Sequence, residues 1–365
     1  MDDQDNNAKS AGYWFRFVLV MAVLVSGLWL WQKFLIPLAI TFLLFILAMA
    51  LVDNFRRLRV MGRPLPGWIA YVLSVATVIG TVLLFGWIVT SSADDVQAAA
   101  PAYQERLSEL AVQIEAYLGP KLVDTARDAL ANVELANWAA VLANELASLL
   151  SSLGLVILYL IFLMSERQLW VEKIPRLVTI ESDAKRTRRI LDRVAAGVKQ
   201  YMWVNAVTSA MSGLVAFAIF RWVGLDFASF LALIVFLVGF IPNIGAFIGI
   251  ALSSLAALIQ FDSLTPFLIV LVGYGSADQL ISNLVQPSMQ GKSLNLSKFM
   301  VVVSLTFWAT LWGGIGAFLA VPMMVVAMVV CSEISSARWI AVLLSADGEI
   351  DDWDVEIPNL PTDER

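Results

Sequence analysis

The segment 240–247, Phe-Ile-Pro-Asn-Ile-Gly-Ala-Phe, is a Pro/Gly break inside an apolar run too long for a soluble core. Pro242 removes a helix hydrogen bond, and Gly245 lets backbones approach closely. The tetrad Ile-Gly-Ala-Phe of 244–247 returns at 315–318. The second copy also lies in an apolar run, with Gly313 and Gly314 before it and Pro322 after it. Broken backbone at membrane depth survives only against protein or a water-filled cavity. Two matching interrupted segments are therefore the pattern of a chain that moves solutes, and freed carbonyls at the breaks are expected to face a hydrated passage.

Composition agrees. Hydrophobic residues make up 59% of the chain and charged residues 15%, against about 25% charged in a soluble domain. Mean hydropathy is +0.79. The expected fold is all-α, a polytopic membrane protein. Histidine is absent and Cys331 is the single cysteine. That argues against a His/Cys zinc site, a Ser-His-Asp triad and a disulfide framework. Cys331 reads as packing, and no metal or cofactor is expected.

The charge pattern suggests a topology. Residues 1–10 read as a disordered cytoplasmic N-terminus. Residues 11–92 hold three spans: two within 13–52, turning at Gln32, Lys33 and Pro37, and a third over 68–90. Arg56, Arg57, Arg59 and Arg63 make the following loop cytoplasmic, and the N-terminus with it. Residues 93–147 read as an extracytoplasmic helical lobe, with Leu107, Leu110, Ile114 and Leu118 on one face. It caps a pathway, packs on neighbouring subunits, or is a solvated connector. Residues 148–165 form a fourth span.

Residues 166–200 read as a basic amphipathic cytoplasmic helix. Lys185, Arg186, Arg188, Arg189 and Arg193 flank an apolar stripe of Ile190, Val194 and Val198. This suits an anionic inner leaflet better than nucleic acid. Residues 201–332 are the expected transport core: a span at 202–222, then apolar stretches at 227–259, 266–285 and 299–332. The first and last of these three exceed one span and fall short of two. As re-entrant hairpins they give a nominal eight transmembrane segments and leave Lys292 and Lys298 in the cytoplasm. Single tilted helices are the alternative. Residues 333–365 read as an acidic cytoplasmic tail, disordered from Asp347 on.

Asp278 is the acidic residue of the 266–285 stretch, and an ionisable group there is a functional candidate by default. Asp278, Ser282 and Gln286 are spaced i, i+4, i+8, with Gln279 and Asn283 alongside. That polar face lines a pathway or bonds to other helices. Pro242, Asn243, Gly245, Gly249, Gly313, Gly314 and Gly316 are the hinge candidates, or else sites of small-residue helix packing. Asn205, Thr208 and Arg221 are weaker pathway candidates.

These residues resemble the autoinducer-2 exporter-like permease family. Its Ile-Pro-x-x-Gly segment matches Ile241–Gly245. Its Asn-x-x-x-Pro-x-x-x-Gly pattern matches Asn283, Pro287 and Gly291. Its closing motif matches Phe307, Trp308, Gly313, Gly316, Ala317, Leu319, Ala320, Val321 and Pro322. Lys298 stands where the family usually has proline, and Ser282 where an acid is common. Asp278, one turn earlier, becomes the main acidic candidate. The resemblance implies a bacterial inner-membrane homo-oligomer with intertwined re-entrant hairpins. It implies export of a small hydroxylated solute such as autoinducer-2, or antiport of Na+ against H+.

No Gly-x-x-x-x-Gly-Lys-Ser/Thr signature is present, so transport is expected to be passive or ion-coupled. A non-transporting scaffold that uses the 93–147 lobe is the reading from another class. An enzyme is not expected.

Overall fold

The computed structural model describes residues 18–60, 63–118, 153–166, 181–242, 244–290 and 295–349. These are helical except for a two-residue antiparallel ribbon, Arg59–Val60 with Arg63–Pro64. Among the described residues, five helices are long and apolar enough to cross a membrane: Gln32–Arg57, Gly67–Ser92, Ile190–Val223, Leu264–Met289 and Lys298–Glu333. Shorter apolar helices accompany them.

Helix α1 (Val18–Leu30) leads into α2 (Gln32–Arg57). The two-span reading expects the chain to reverse here. Instead Trp31 keeps near-helical backbone (φ −98°, ψ 13°). Its N–H bonds Gly27 O at 3.0 Å, and its own carbonyl accepts from Leu35 N at 2.9 Å. The helix bends and carries on. The placement of the N-terminus beside the arginine loop rested on a reversal, and it loses that support.

Helix α3 (Gly67–Leu118) continues for 52 residues, about 78 Å at 1.5 Å per residue. It passes the expected boundary at 92/93 without stopping, so the start of the lobe is the extension of a span. Of the lobe, residues 119–147 lie outside the described residues. Helix α4 (Leu153–Glu166) returns beside the start of α3, where the Tyr71 hydroxyl donates to Met164 O at 2.6 Å.

Helix α5 (Glu181–Val223) is the central strut. The basic segment and the fifth span are one helix of 43 residues, about 65 Å long. The positive residues therefore extend a span along its own axis. Helix α5 packs against α2, and against three of the later elements, Ala228–Val238, Leu264–Met289 and Lys298–Glu333. At its basic end Lys199 pairs with Asp53 of α2. Arg193 meets Glu333 at 3.0 Å.

Two helical hairpins follow. Helix α6 (Ala228–Val238) and helix α7 (Ile244–Gln260) pack on each other across the break at 239–243. Helix α8 (Leu264–Met289) then runs back along α5, and Gln200 of α5 donates to Met289 O at 2.9 Å. Helix α9 (Lys298–Glu333) leaves helical geometry at Trp312 (φ −128°) and Gly313 (φ +64°). It folds there into two arms, 298–312 and 314–333. The Ser304 hydroxyl on the first arm donates to Ala320 O on the second at 3.0 Å.

The repeated tetrads do the same steric work. A Cβ on Gly245 would collide with Val238 O, and one on Gly316 with Trp308 O. Each glycine lets the returning arm press its backbone against the outgoing one.

The hairpins enter from opposite ends of α5 and α8, and their tips meet. Phe240 stacks on Phe318 with ring centroids 4.8 Å apart. Ile241 packs into the cluster of Leu305, Ala317 and Ala320. The Tyr201 hydroxyl donates to Phe240 O at 3.2 Å, and Trp312 Nε1 donates to Leu28 O at 3.1 Å. The main core lies along the second arm of α9, where Leu319, Val325 and Met328 pack against Val198 and Met202 of α5.

The far base of the first hairpin is held by the extension of α3. Arg106 pairs with Asp262, and the Tyr103 hydroxyl reaches Asp226 at 3.5 Å. Phe227 beside it adopts a left-handed backbone (φ 53°), a strain that side chains rarely accept. Burial first, then the charge and hydrogen bond of Asp226, push the Tyr103 phenol above its ordinary value. A raised acid stabilises the fold fully below its unfolded value, about pH 10. The contribution is lost as pH rises beyond that.

The close approaches give a test. Gly245→Ala and Gly316→Ala are each expected to destabilise the protein by about 1–3 kcal/mol. Gly80→Ala on α3, where a Cβ meets nothing within 4 Å, should be neutral or slightly stabilising. Thermal unfolding in detergent compares them. An absorbance titration of tyrosinate, wild type against Tyr103→Phe, should lose a group that ionises above the ordinary tyrosine range.

Candidate functional site

Asp278 is 5% exposed and lies between α5 and α8. The Ser212 hydroxyl donates to its Oδ1 at 2.8 Å. The Tyr274 hydroxyl reaches the same oxygen at 3.5 Å. Oδ2 is buried and has no partner. A buried carboxylate oxygen without a partner is costly.

Helix α8 is shaped around this group. Residues Ile269–Tyr274 and Ile281–Val285 are π-helical, on either side of the α-turns that carry Asp278. Such wide turns recur at functional sites. The second has a local cause. Pro287 has no N–H and its ring crowds the carbonyl four residues back, at Asn283. A widened turn relieves that clash, and the helix continues through Pro287.

On α5, Asn205, Thr208, Ser209 and Ser212 are all buried. Their spacing of i, i+3, i+4 and i+7 puts them on one stripe. The stripe faces α8 at two rungs: Ser212 with Asp278, and Asn205 Oδ1 accepting from Gln286 Nε2 at 3.4 Å. Asn205 also donates to Tyr201 O at 2.9 Å. Between the rungs, Ser209 Oγ is buried and has no partner. It lies 2.6 Å from where a Cβ of Gly239 would sit, so it stands at the break of the first hairpin. Gly249 of α7 borders the Tyr274 hydroxyl: its Cβ would meet that oxygen at 3.3 Å. Ser254 Oγ, farther along α7, is the third buried unpartnered oxygen among the described residues.

Asn205 and Gln286 are thus brought together, and Asp278 lies on the same interface two turns away. Ser282 is half-buried near them. Gln279 and Asn283 are exposed on another face, and Asn283 donates to Gln279 Oε1 at 2.8 Å. Pro242 lies half-buried at the first tip, and Pro322 is buried in the second arm of α9. Gly313 supplies the positive φ of the second tip, and Gly314 is exposed beside it. Asn243, Gly291 and Lys292 lie outside the described residues, as do the side chains of Lys185, Arg186, Arg188 and Arg189. Arg221 is exposed at the far end of α5.

The carbonyls at the first break differ from expectation. Val238 O accepts from Ile241 N, Phe240 O from Tyr201, Ile241 O from Gly245 N and Pro242 O from Ile244 N. The chain turns tightly enough to satisfy them itself. Side-chain oxygens of α5, α7 and α8 are what stand unpartnered. Ser209, Ser212 and Tyr274 were not among the candidates. The stripe spacing on α5, and the position of Tyr274 one turn before Asp278, are the signals that point to them.

Ser212→Ala leaves the carboxylate with the long Tyr274 contact alone. It should cost about 1–3 kcal/mol of stability, against under about 0.5 kcal/mol for Thr306→Ala on the exposed face of α9. Unfolding of both variants in detergent measures the difference.

Comparison with known proteins gives a consistent result. The family model described as "AI-2E family transporter" matches residues 18–336. The AI-2 transport protein TqsA of Escherichia coli is 25% identical over 331 residues, 89% of this chain and 93% of its own length. A putative transport protein of Haemophilus influenzae is 22% identical over 347 residues, 92% of this chain and 96% of its own. One from Borreliella burgdorferi is 31% identical over 202 residues, 55% of this chain and 56% of its own.

Proposed function

This chain belongs to the AI-2E transporter family, and on that footing we propose that it is a permease of the bacterial inner membrane for a small polar solute. The family is one of transporters, and the apolar helices make this a multi-pass membrane protein. The proposed solute class, small and hydroxylated like autoinducer-2, follows the AI-2 transport protein of Escherichia coli. The observation that carries the reading is the buried hydroxyl stripe of α5, where Ser209 Oγ stands unpartnered at the first hairpin break and Ser212 reaches across to α8.

Helices α6 and α7, with 11 and 17 residues, are about 17 and 26 Å long. A hydrocarbon core is about 30 Å thick. The first hairpin accordingly is re-entrant; the second, folded back at Gly313, enters from the other side and meets it within the bilayer at Phe240 and Phe318. The basic end, with Arg56, Arg57 and Arg193, faces the cytoplasm, and so does the C-terminus. The side of the N-terminus depends on how residues 18–30 leave the bend at Trp31. The protein works as a homo-oligomer, and anionic lipid gathers at the basic stretch 185–193.

A second reading has its own support. Both partners of Asp278 are neutral hydroxyls. An ionised carboxylate there needs a counter-charge, which a cation or a proton supplies. Antiport of Na+ against H+ uses that exchange directly.

Reconstituted flux tests both. Purified protein in liposomes is assayed with autoinducer-2, ribose and glycerol, with and without sodium and pH gradients. The permease reading expects saturable flux of at least one solute, and Asp278→Asn should retain it within about threefold. The antiport reading expects sodium-driven proton movement, which Asp278→Asn should reduce at least tenfold. Absence of both fluxes contradicts both.

A further inference from the structure

The family match ends at residue 336, but ordered structure continues past it. After a 3-10 turn (Ser335–Ala337), helix α10 (Arg338–Leu344) buries Ala341 and Leu344 in the main core. The chain then returns to the segment that starts the second hairpin. Leu296 and Ser345 form an isolated antiparallel bridge. Ser297 N donates to Leu344 O at 2.9 Å, and Ala346 N donates to Asn295 O at 3.2 Å. Asn295 adds a side-chain grip. Its Nδ2 donates to Asp347 Oδ1, and to Glu349 O at 3.1 Å, while its Oδ1 accepts from Ala346 N at 3.3 Å. Gly348, at φ +86°, turns the chain so that its N–H reaches Ser345 Oγ at 2.8 Å.

This closes a ring of backbone. Ser297 caps the first arm of α9, its hydroxyl accepting from Met300 N. The second arm ends at Glu333, and α10 carries the chain from there back to Leu296. The arms of the second hairpin cannot spread or shift at the basic end unless residues 345–349 let go of 295–297. The joint is also slight. It is one bridge long, Asn295 is half-buried, and residues 346–349 are exposed. Exposed, short hydrogen-bonded segments open at low cost while cores stay closed.

We propose that residues 345–349 form a releasable clasp on the second hairpin, and that solute passage requires its release. The proposal rests on the permease reading. The Asn295 hydrogen bond first, then the Glu349 amide, hold the Asp347 carboxyl below its ordinary value. Its grip is therefore present above the ordinary aspartate range and is lost only as pH falls below it, so neutral pH changes do not work the clasp.

A disulfide across the bridge tests this. The bonds flanking Leu296 and Ser345 make them a non-hydrogen-bonded pair, for which Cα atoms stand about 4.5 Å apart. That is within disulfide range. Leu296→Cys with Ser345→Cys is made in full-length Cys331→Ser protein and reconstituted. Flux of autoinducer-2, and sodium-driven pyranine fluorescence, are read oxidised and reduced. Oxidation should lower flux at least tenfold, and dithiothreitol should restore it. Asn295→Ala, which keeps the backbone bonds, should raise flux about two- to fivefold. Equal flux in both redox states overturns the clasp.

If the reduced protein moves neither probe, the permease reading fails by itself. Hydrogen exchange then decides the clasp. Peptides covering 295–300 and 344–349 should exchange faster than the second arm of α9, and should slow on oxidation. Exchange as slow as in that arm overturns it.

Discussion

The hydrogen bond from Ser212 to Asp278 is the interaction on which this architecture turns. It brings a charged-type group into an apolar bundle and fixes α8 against α5 at that depth. A carboxylate there has to be held by something, and two neutral hydroxyls hold only one of its oxygens. Around it the packing is otherwise dry: Phe220, Val270 and Tyr274 are nearly or fully buried. Among the described residues the buried oxygens without a partner are one each on Asp278, Ser209 and Ser254.

The two hairpins give this group its setting. Each is closed by a glycine that allows one backbone to press on another. Their meeting places an aromatic seam, Phe85 to Phe236 to Phe240 to Phe318, beside the polar stripe of α5. The two bases are held by different means. Side chains from the extension of α3 hold the first, and backbone pairing with the C-terminal segment holds the second.

Much of this was legible in the residues. The repeated Ile-Gly-Ala-Phe tetrad pointed to two breaks, because Gly and Pro act on backbone geometry wherever they stand. Asp278 was legible because a carboxylate in an apolar run needs an explanation. Other features were not. The bend at Trp31 replaces a reversal because Gln32 and Lys33 are polar without breaking a helix, and neither dictates a turn. The unbroken α3 and α5 were hidden because a change in hydropathy along a chain marks a change of surroundings, not a helix end. The breaks were expected to offer carbonyls, yet a turn can satisfy its own carbonyls, and sequence does not show whether it will. The clasp pairs residues about fifty positions apart, a long-range contact that no periodicity announces.

The central claim is the proposal that the buried polar stripe between α5 and α8, beside the hairpin break, is the solute path of a permease. Thiol labelling at Ser209 tests it most directly. Ser209→Cys is made in Cys331→Ser protein, with Leu284→Cys, exposed on the apolar face of α8, as the comparison. Both are treated in sealed vesicles with a small charged methanethiosulfonate. The account predicts that the cysteine at 209 reacts and that the one at 284 does not. A cysteine at 209 that stays unmodified from both sides of the membrane would contradict it.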